Sequence, residues 1–165
     1  MNNRSWSKDL AEGDSSDLPN GESKSAVGAA AISGLYLHHG ALSVSDMSRS
    51  IEFYGRVLGF SVDTRIEVHE GNLEIVHLKN ANSYLELFCR TGAKPLPEHA
   101  TDHEKDFGVV GTKHLALGTN APEVIHLQLE RSGVSGLTPI YDSPHYKYFF
   151  FQDPDGIVLE IVHRK

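Results

Sequence analysis

Apolar and polar positions alternate over 35–42, with Leu35, Leu37, His39 and Ala41 on one side and Tyr36, His38, Gly40 and Leu42 on the other. A period of two predicts a strand. The period then changes. After Ser45-Asp46-Met47, the residues Ile51, Tyr54, Val57 and Leu58 recur at helical spacing beside Phe53, and Gly59 stops the run. Three more strands are predicted over 60–68, 73–78 and 83–89, the last two joined by a turn at Lys79-Asn80-Ala81-Asn82. The stretch 90–111 is polar and weakly patterned, and holds Pro95, Pro97, His99, Asp102 and His103. A loop of that length predicts either a lid or a linker between halves.

The order of elements then begins again. A strand is predicted over 113–119 and a helix over 122–131, where Val124, Ile125, Leu127 and Leu129 are the apolar positions and Gly133 the stop. Strands follow over 137–141 and 148–152. Asp153-Pro154-Asp155-Gly156 makes a tight turn, and 157–162 closes the fold. Residues 1–31 are expected to be a flexible leader: Ser, Asp, Asn, Gly and Glu dominate, and Trp6, Leu10 and Leu18 stand alone. The remainder, 32–165, reads as one α+β domain of two β-α-β-β-β modules, 32–92 and 110–165, that form a cupped mixed sheet.

The two modules keep register. His114 lies 75 residues after His39, Glu160 lies 74 after Glu86, and Gly133 lies 74 after Gly59. HGALSV matches HLALGT, and YLELF matches VLEIV. Strand side chains alternate between faces. His39 therefore shares a face with Ala41 and Ser43, Glu86 with Tyr84 and Phe88, and Glu160 with Val158 and Val162. The opposite faces are apolar and suit packing on the two helices. The polar faces would then meet in a cup holding two His and two Glu.

A carboxylate on an apolar strand is costly without a partner. Two carboxylates and two imidazoles are best explained by one divalent metal, and nitrogen and oxygen donors suit Zn, Ni, Fe, Co or Mn. Structural zinc sites favour thiolates. This chain has one cysteine, so the donor set points to a catalytic ion with open positions for water. Glu86 has a second reading, as a residue on a solvent-facing edge strand. His126, on the second helix, is expected to be exposed.

Composition narrows the classes. The chain has 165 residues and a formal net charge of −7, against the basic face a nucleic-acid binder needs. A lone cysteine makes no internal disulfide, which is consistent with a reducing cytoplasm. No apolar run approaches the roughly 18 residues of a membrane span, and the N-terminus lacks the apolar core of a secretory signal.

Three stretches resemble the glyoxalase/bleomycin-resistance/extradiol-dioxygenase superfamily, the vicinal oxygen chelate proteins: HHGALSVSDMSRSIEFYGRVLGF at 38–60, KHLALGT at 113–119 and FFFQDPDGIVLEIV at 149–162. The resemblance implies paired β-α-β-β-β modules around one metal, with His39, Glu86, His114 and Glu160 at the ligand positions. Its glyoxalase I members isomerise the methylglyoxal–glutathione hemithioacetal through a metal-stabilised enediolate. By that likeness Glu160 is the base, and Glu86 shares the role by symmetry. Ser43, Tyr84, Phe88, Tyr148, Phe150 and His77 are the expected substrate pocket. The resemblance implies a small-molecule substrate and a homodimer.

One departure from the glyoxalase I pattern is Ser43, where many such enzymes carry an Arg for a glutathione carboxylate. The reading is therefore a metal-dependent lyase or isomerase acting on a small carbonyl or thiol adduct. The alternatives are a ferrous extradiol dioxygenase, which usually has a Tyr where Phe150 stands, and a non-enzymatic drug-binding protein of the same fold. A coenzyme A epimerase and a fosfomycin-type thiol transferase are weaker alternatives.

Overall fold

β1 (His39–Val44) begins where a partner strand is available to it. It runs parallel to β4 (Ser83–Arg90), from His39 opposite Tyr84 to Val44 opposite Cys89. The computed structural model describes residues 34–68, 72–81 and 83–165; the leader expected over 1–31 lies outside them, as do 69–71 and Asn82. The chain divides into two units after Leu37. Leu35, Tyr36 and Leu37 are exposed and join no strand, so the strand expected over 35–42 starts and ends later.

The first module continues with α1 (Met47–Leu58), β2 (Ser61–Val68) and β3 (Leu73–Asn80), giving a sheet of order β1-β4-β3-β2. Asp46 caps α1: its side chain accepts the Arg49 N–H at 3.0 Å. Such a cap contributes about 1 kcal/mol. At the other end Gly59 adopts φ 71°, a left-handed turn that glycine makes without strain.

Between the modules lies a 3-10 turn at Glu98–Thr101, then a short helix, α2 (His103–Asp106). The second module repeats the first: β5 (Leu115–Gly118), α3 (Pro122–Ser132), β6 (Tyr141–Asp142), β7 (Tyr146–Gln152) and β8 (Val158–Arg164). Its sheet order is β5-β8-β7-β6, the same topology one module later. The fold is α+β, two β-α-β-β-β modules with four-stranded mixed sheets.

One face of each sheet is buried in a shared apolar cluster. Val44, Val76, Leu78, Leu85 and Leu87 enter it from the first sheet, Phe149, Phe151, Leu159 and Ile161 from the second, with Tyr54 of α1 and Leu129 of α3. These are the faces that the alternation assigned to packing. Polar contacts join the modules at the Asp153–Gly156 turn. Tyr54 Oη donates to Asp153 Oδ2 at 3.0 Å inside the core. Ser45 and Arg49 both donate to Asp155, Arg49 at 2.6 Å. Burial is the main cause that raises the Tyr54 phenol far above its ordinary value and also raises the Asp153 carboxyl, so Tyr54 remains a donor.

Two further expectations change. The strand expected over 137–141 reduces to β6, two residues long. Pro139 has no N–H, and the Thr138 hydroxyl takes the Phe150 N–H at 3.0 Å in place of a backbone carbonyl. His126 is half-buried, not exposed: Nε2 bonds the Thr138 carbonyl at 2.9 Å, and its ring meets Phe149 edge-on at 4.9 Å.

Candidate metal and substrate site

The faces turned away from the core carry the candidate site residues. In the first module, β1 brings His39 beside β4, whose Glu86 stands opposite His77 of β3. His39 Nε2 lies 3.4 Å from Glu86 Oε2, and His77 Nε2 lies 2.8 Å from Glu86 Oε1. His39 Nδ1 also meets His38 Nδ1 at 2.8 Å, and the His38 ring stacks on Tyr84 at 5.3 Å. Ser43 is exposed opposite Phe88, and no cation pairs with it among the described residues.

In the second module, His114 stands just ahead of β5 and reaches Glu160 of β8, Nε2 to Oε2 at 2.9 Å. Both glutamates are largely sheltered, Glu86 with 18% and Glu160 with 15% of the side chain exposed. His114 Nδ1 is buried and has no hydrogen-bond partner among the described residues. Aromatic rings adjoin this pair. Phe150 meets His114 at 5.4 Å and Tyr148 at 5.8 Å, and Tyr148 stacks on Tyr141 at 5.2 Å. Burial, then the charges of Tyr141 and Glu160, raise the Tyr148 phenol above its ordinary range, so it stays a hydrogen-bond donor.

The two His and two Glu expected to share one cup lie as two separate pairs, one per module. Among the described residues, no group of three or more His, Cys, Asp or Glu is arranged to hold an ion. The pairs themselves suit a metal. With metal–ligand bonds of about 2.0–2.2 Å, adjacent ligands sit roughly 2.9–3.4 Å apart. The two N–O separations, 2.9 and 3.4 Å, fall in that interval. Each pair offers one imidazole nitrogen and one carboxylate, a set suited to first-row divalent ions.

The family model for the Glyoxalase/Bleomycin resistance protein/Dioxygenase superfamily matches residues 36–161. The chain belongs to this superfamily. Its β-α-β-β-β pair is the fold of that superfamily's vicinal oxygen chelate proteins. This superfamily member is 26% identical over 129 residues to Glyoxylase I 4 of Arabidopsis thaliana, covering 77% of this chain and 70% of the relative. Its fold matches the crystal structure of a glyoxalase family protein from Enterococcus faecalis with TM-score 0.66 and 27% identity, over 77% of this chain and 96% of the other. It also shares its fold with the fosfomycin resistance protein FosX of Listeria monocytogenes, solved with Mn(II), at TM-score 0.58 and 17% identity, over 81% of this chain and 94% of that one. The superfamily binds small molecules, and members commonly hold a divalent ion.

Within this superfamily member, sequence reasoning missed one imidazole near the pairs. His103 of α2 stacks on Phe150 at 4.5 Å, beside His114. No local pattern marks it, because it comes from the connection between modules. That connection is ordered against the second sheet: Gln152 Nε2 donates to the Thr101 carbonyl at 2.7 Å, and Lys113 Nζ donates to Asp106 Oδ2 at 2.8 Å. His77, expected among the substrate-pocket residues, bonds Glu86. The turn at 79–82 is the signal that could have shown this, because pairing Asn80 with Ser83 sets His77 opposite Glu86. No helix among the described residues is long and apolar enough to cross a membrane.

Proposed function

We propose that the chain is a metal-dependent lyase or isomerase of the glyoxalase I type, acting on a small carbonyl or thiol adduct. The observation that carries the reading is the matched pair of His–Glu contacts, His39 with Glu86 and His114 with Glu160, at equivalent places in the two modules. The four residues are the proposed ligands of one divalent ion, Zn, Ni, Fe, Co or Mn. A homodimer is proposed to complete each site, with His39 and Glu86 of one copy facing the second-module pair of the partner copy.

The bound ion would supply Lewis-acid stabilisation to negative charge developing on substrate oxygen. The rest falls to the chain. Glu160 takes the proton from the carbon that carries the hydroxyl and returns it to the neighbouring carbonyl carbon, while the hydroxyl proton passes to the former carbonyl oxygen. The sum is an isomerisation, with no oxidant consumed. His114 and Glu160, 2.9 Å apart, would be neighbouring ligands of that ion. Tyr148 and Phe150, with Tyr84 and Phe88 from the first module, form the walls, and Tyr148 offers a hydroxyl to a substrate oxygen. Ser43 places no positive charge in this wall, so the adduct is not required to carry a glutathione carboxylate at that point.

A second reading, non-catalytic binding of a flat ligand, is favoured by the run of rings from Tyr141 through Tyr148 and Phe150 to His103. The discriminating experiment reconstitutes the full chain with each metal and assays the methylglyoxal–glutathione hemithioacetal, other thiol adducts and catechols, with Glu160→Gln and His114→Ala as controls. Isomerisation that both substitutions abolish supports the proposal. Metal-free protein that binds flat aromatic compounds and turns over none of these substrates favours the second reading.

A further inference from the structure

The two glutamates occupy matching register positions with different neighbours. Across the β3–β4 pair the residue opposite Glu86 is His77; across β7–β8 the residue opposite Glu160 is Phe150. An ionised carboxylate only accepts hydrogen bonds, so at the 2.8 Å contact His77 Nε2 is the donor and Glu86 Oε1 the acceptor. That leaves Oε2, turned toward His39 Nε2 at 3.4 Å. Glu160 uses Oε2 toward His114, and its Oε1 has no hydrogen-bond partner among the described residues. The ring opposite it offers no donor.

We infer that His77 is a positioning residue: it fixes Glu86 as a one-oxygen ligand through Oε2 and so divides the labour between two otherwise equivalent carboxylates. Glu86 holds, and Glu160, with an unheld oxygen, moves the proton. The inference rests on the metal-dependent reading above. It removes the symmetry that the repeat alone implies, under which either glutamate serves as base. An outer residue that orients a ligand typically sets metal affinity by about 10- to 100-fold. A residue that merely fills space would not.

The test titrates metal-free full-length protein with Ni(II) and Zn(II) for the wild type and for His77→Ala, His77→Phe, His77→Gln and Phe150→His, with circular dichroism and melting temperature as folding controls. Both Ala and Phe at 77 are expected to weaken metal binding about 10- to 100-fold. Gln, whose amide nitrogen reaches where Nε2 stood, recovers most of the loss. Phe150→His, which gives Glu160 the same clamp, is expected to keep the metal and lower hemithioacetal turnover at least tenfold. Equal affinity in the wild type and His77→Ala, or equal behaviour of Phe and Gln at 77, overturns the inference. A wild type that binds metal but leaves the hemithioacetal unchanged removes the substrate reading alone, and the affinity ranking still decides the role of His77. A wild type that takes up neither these ions nor Fe(II), Co(II) or Mn(II) removes both.

Discussion

β2, the outer strand of the first sheet, runs for eight residues and is exposed throughout. Its counterpart β6 has two. The outward face of the first sheet leaves Ile75 and Phe88 half-exposed, whereas in the second Phe150 is buried beneath His103 and Val158 is also buried. The inward faces do not differ in this way: Leu85 and Leu87 on one side match Leu159 and Ile161 on the other, all buried. The two modules are alike in the residues that make the core and differ in those around each His–Glu pair. The core demands close packing from both copies, while a pocket has to serve only one chemistry.

The largest expected effect breaks the equivalence of the two glutamates. Glu160→Gln should lower turnover by about 10²- to 10⁴-fold with the metal largely retained, as loss of a general base does. Glu86→Gln should act first on metal content. Steady-state kinetics beside metal analysis separates the two, and identical losses in both would restore the symmetry.

The next effect sharpens the likeness of the cores. Leu87→Ala and Ile161→Ala, at matching positions on β4 and β8, should each cost about 2–5 kcal/mol in denaturant unfolding. Both residues belong to one cluster, so a single cooperative transition is expected for each variant. Two separate transitions would mean that the modules unfold independently.

A smaller effect addresses the joint. Tyr54→Phe strands the buried Asp153 oxygen that the phenol serves, and should cost about 1–3 kcal/mol. Asp153 carries a pH dependence of known sign. Its folded carboxyl is raised by burial, so the native protein holds this proton more tightly than the unfolded chain. Its contribution is therefore present below the ordinary carboxylate value, about 3.9, and is lost as pH rises through the raised folded value. Asp153→Asn should flatten that part of the stability profile. The smallest effect is expected at the rim: Arg49→Ala breaks a half-exposed pair with Asp155 and should cost at most about 1 kcal/mol.

Much of this was legible in the residues. The two stop glycines, Gly59 and Gly133, are local signals, and each ends its helix in a left-handed turn as expected. Strand faces were equally readable, because alternation says which side is apolar. Three features were not. Extended chain at 137–140 looks like a strand to any two-residue period, but Pro139 and the Thr138 side chain replace ladder bonds there. The short helix α2 has too few residues to show a period, and its hold on Phe150 is a long-range contact. The His77–Glu86 bond depends on cross-strand register, which the residues fix only once the hairpin turn is placed.

The central claim is that the two His–Glu pairs act on a common ion. The most direct measurement is the metal content of full-length protein purified without chelators, for the wild type and for His39→Ala and His114→Ala, one substitution in each module. About one divalent ion per chain is expected in the wild type and loss of most of it in both variants, with melting shown to remain cooperative. A full complement of metal in either folded variant, or none in the wild type after reconstitution, would contradict it.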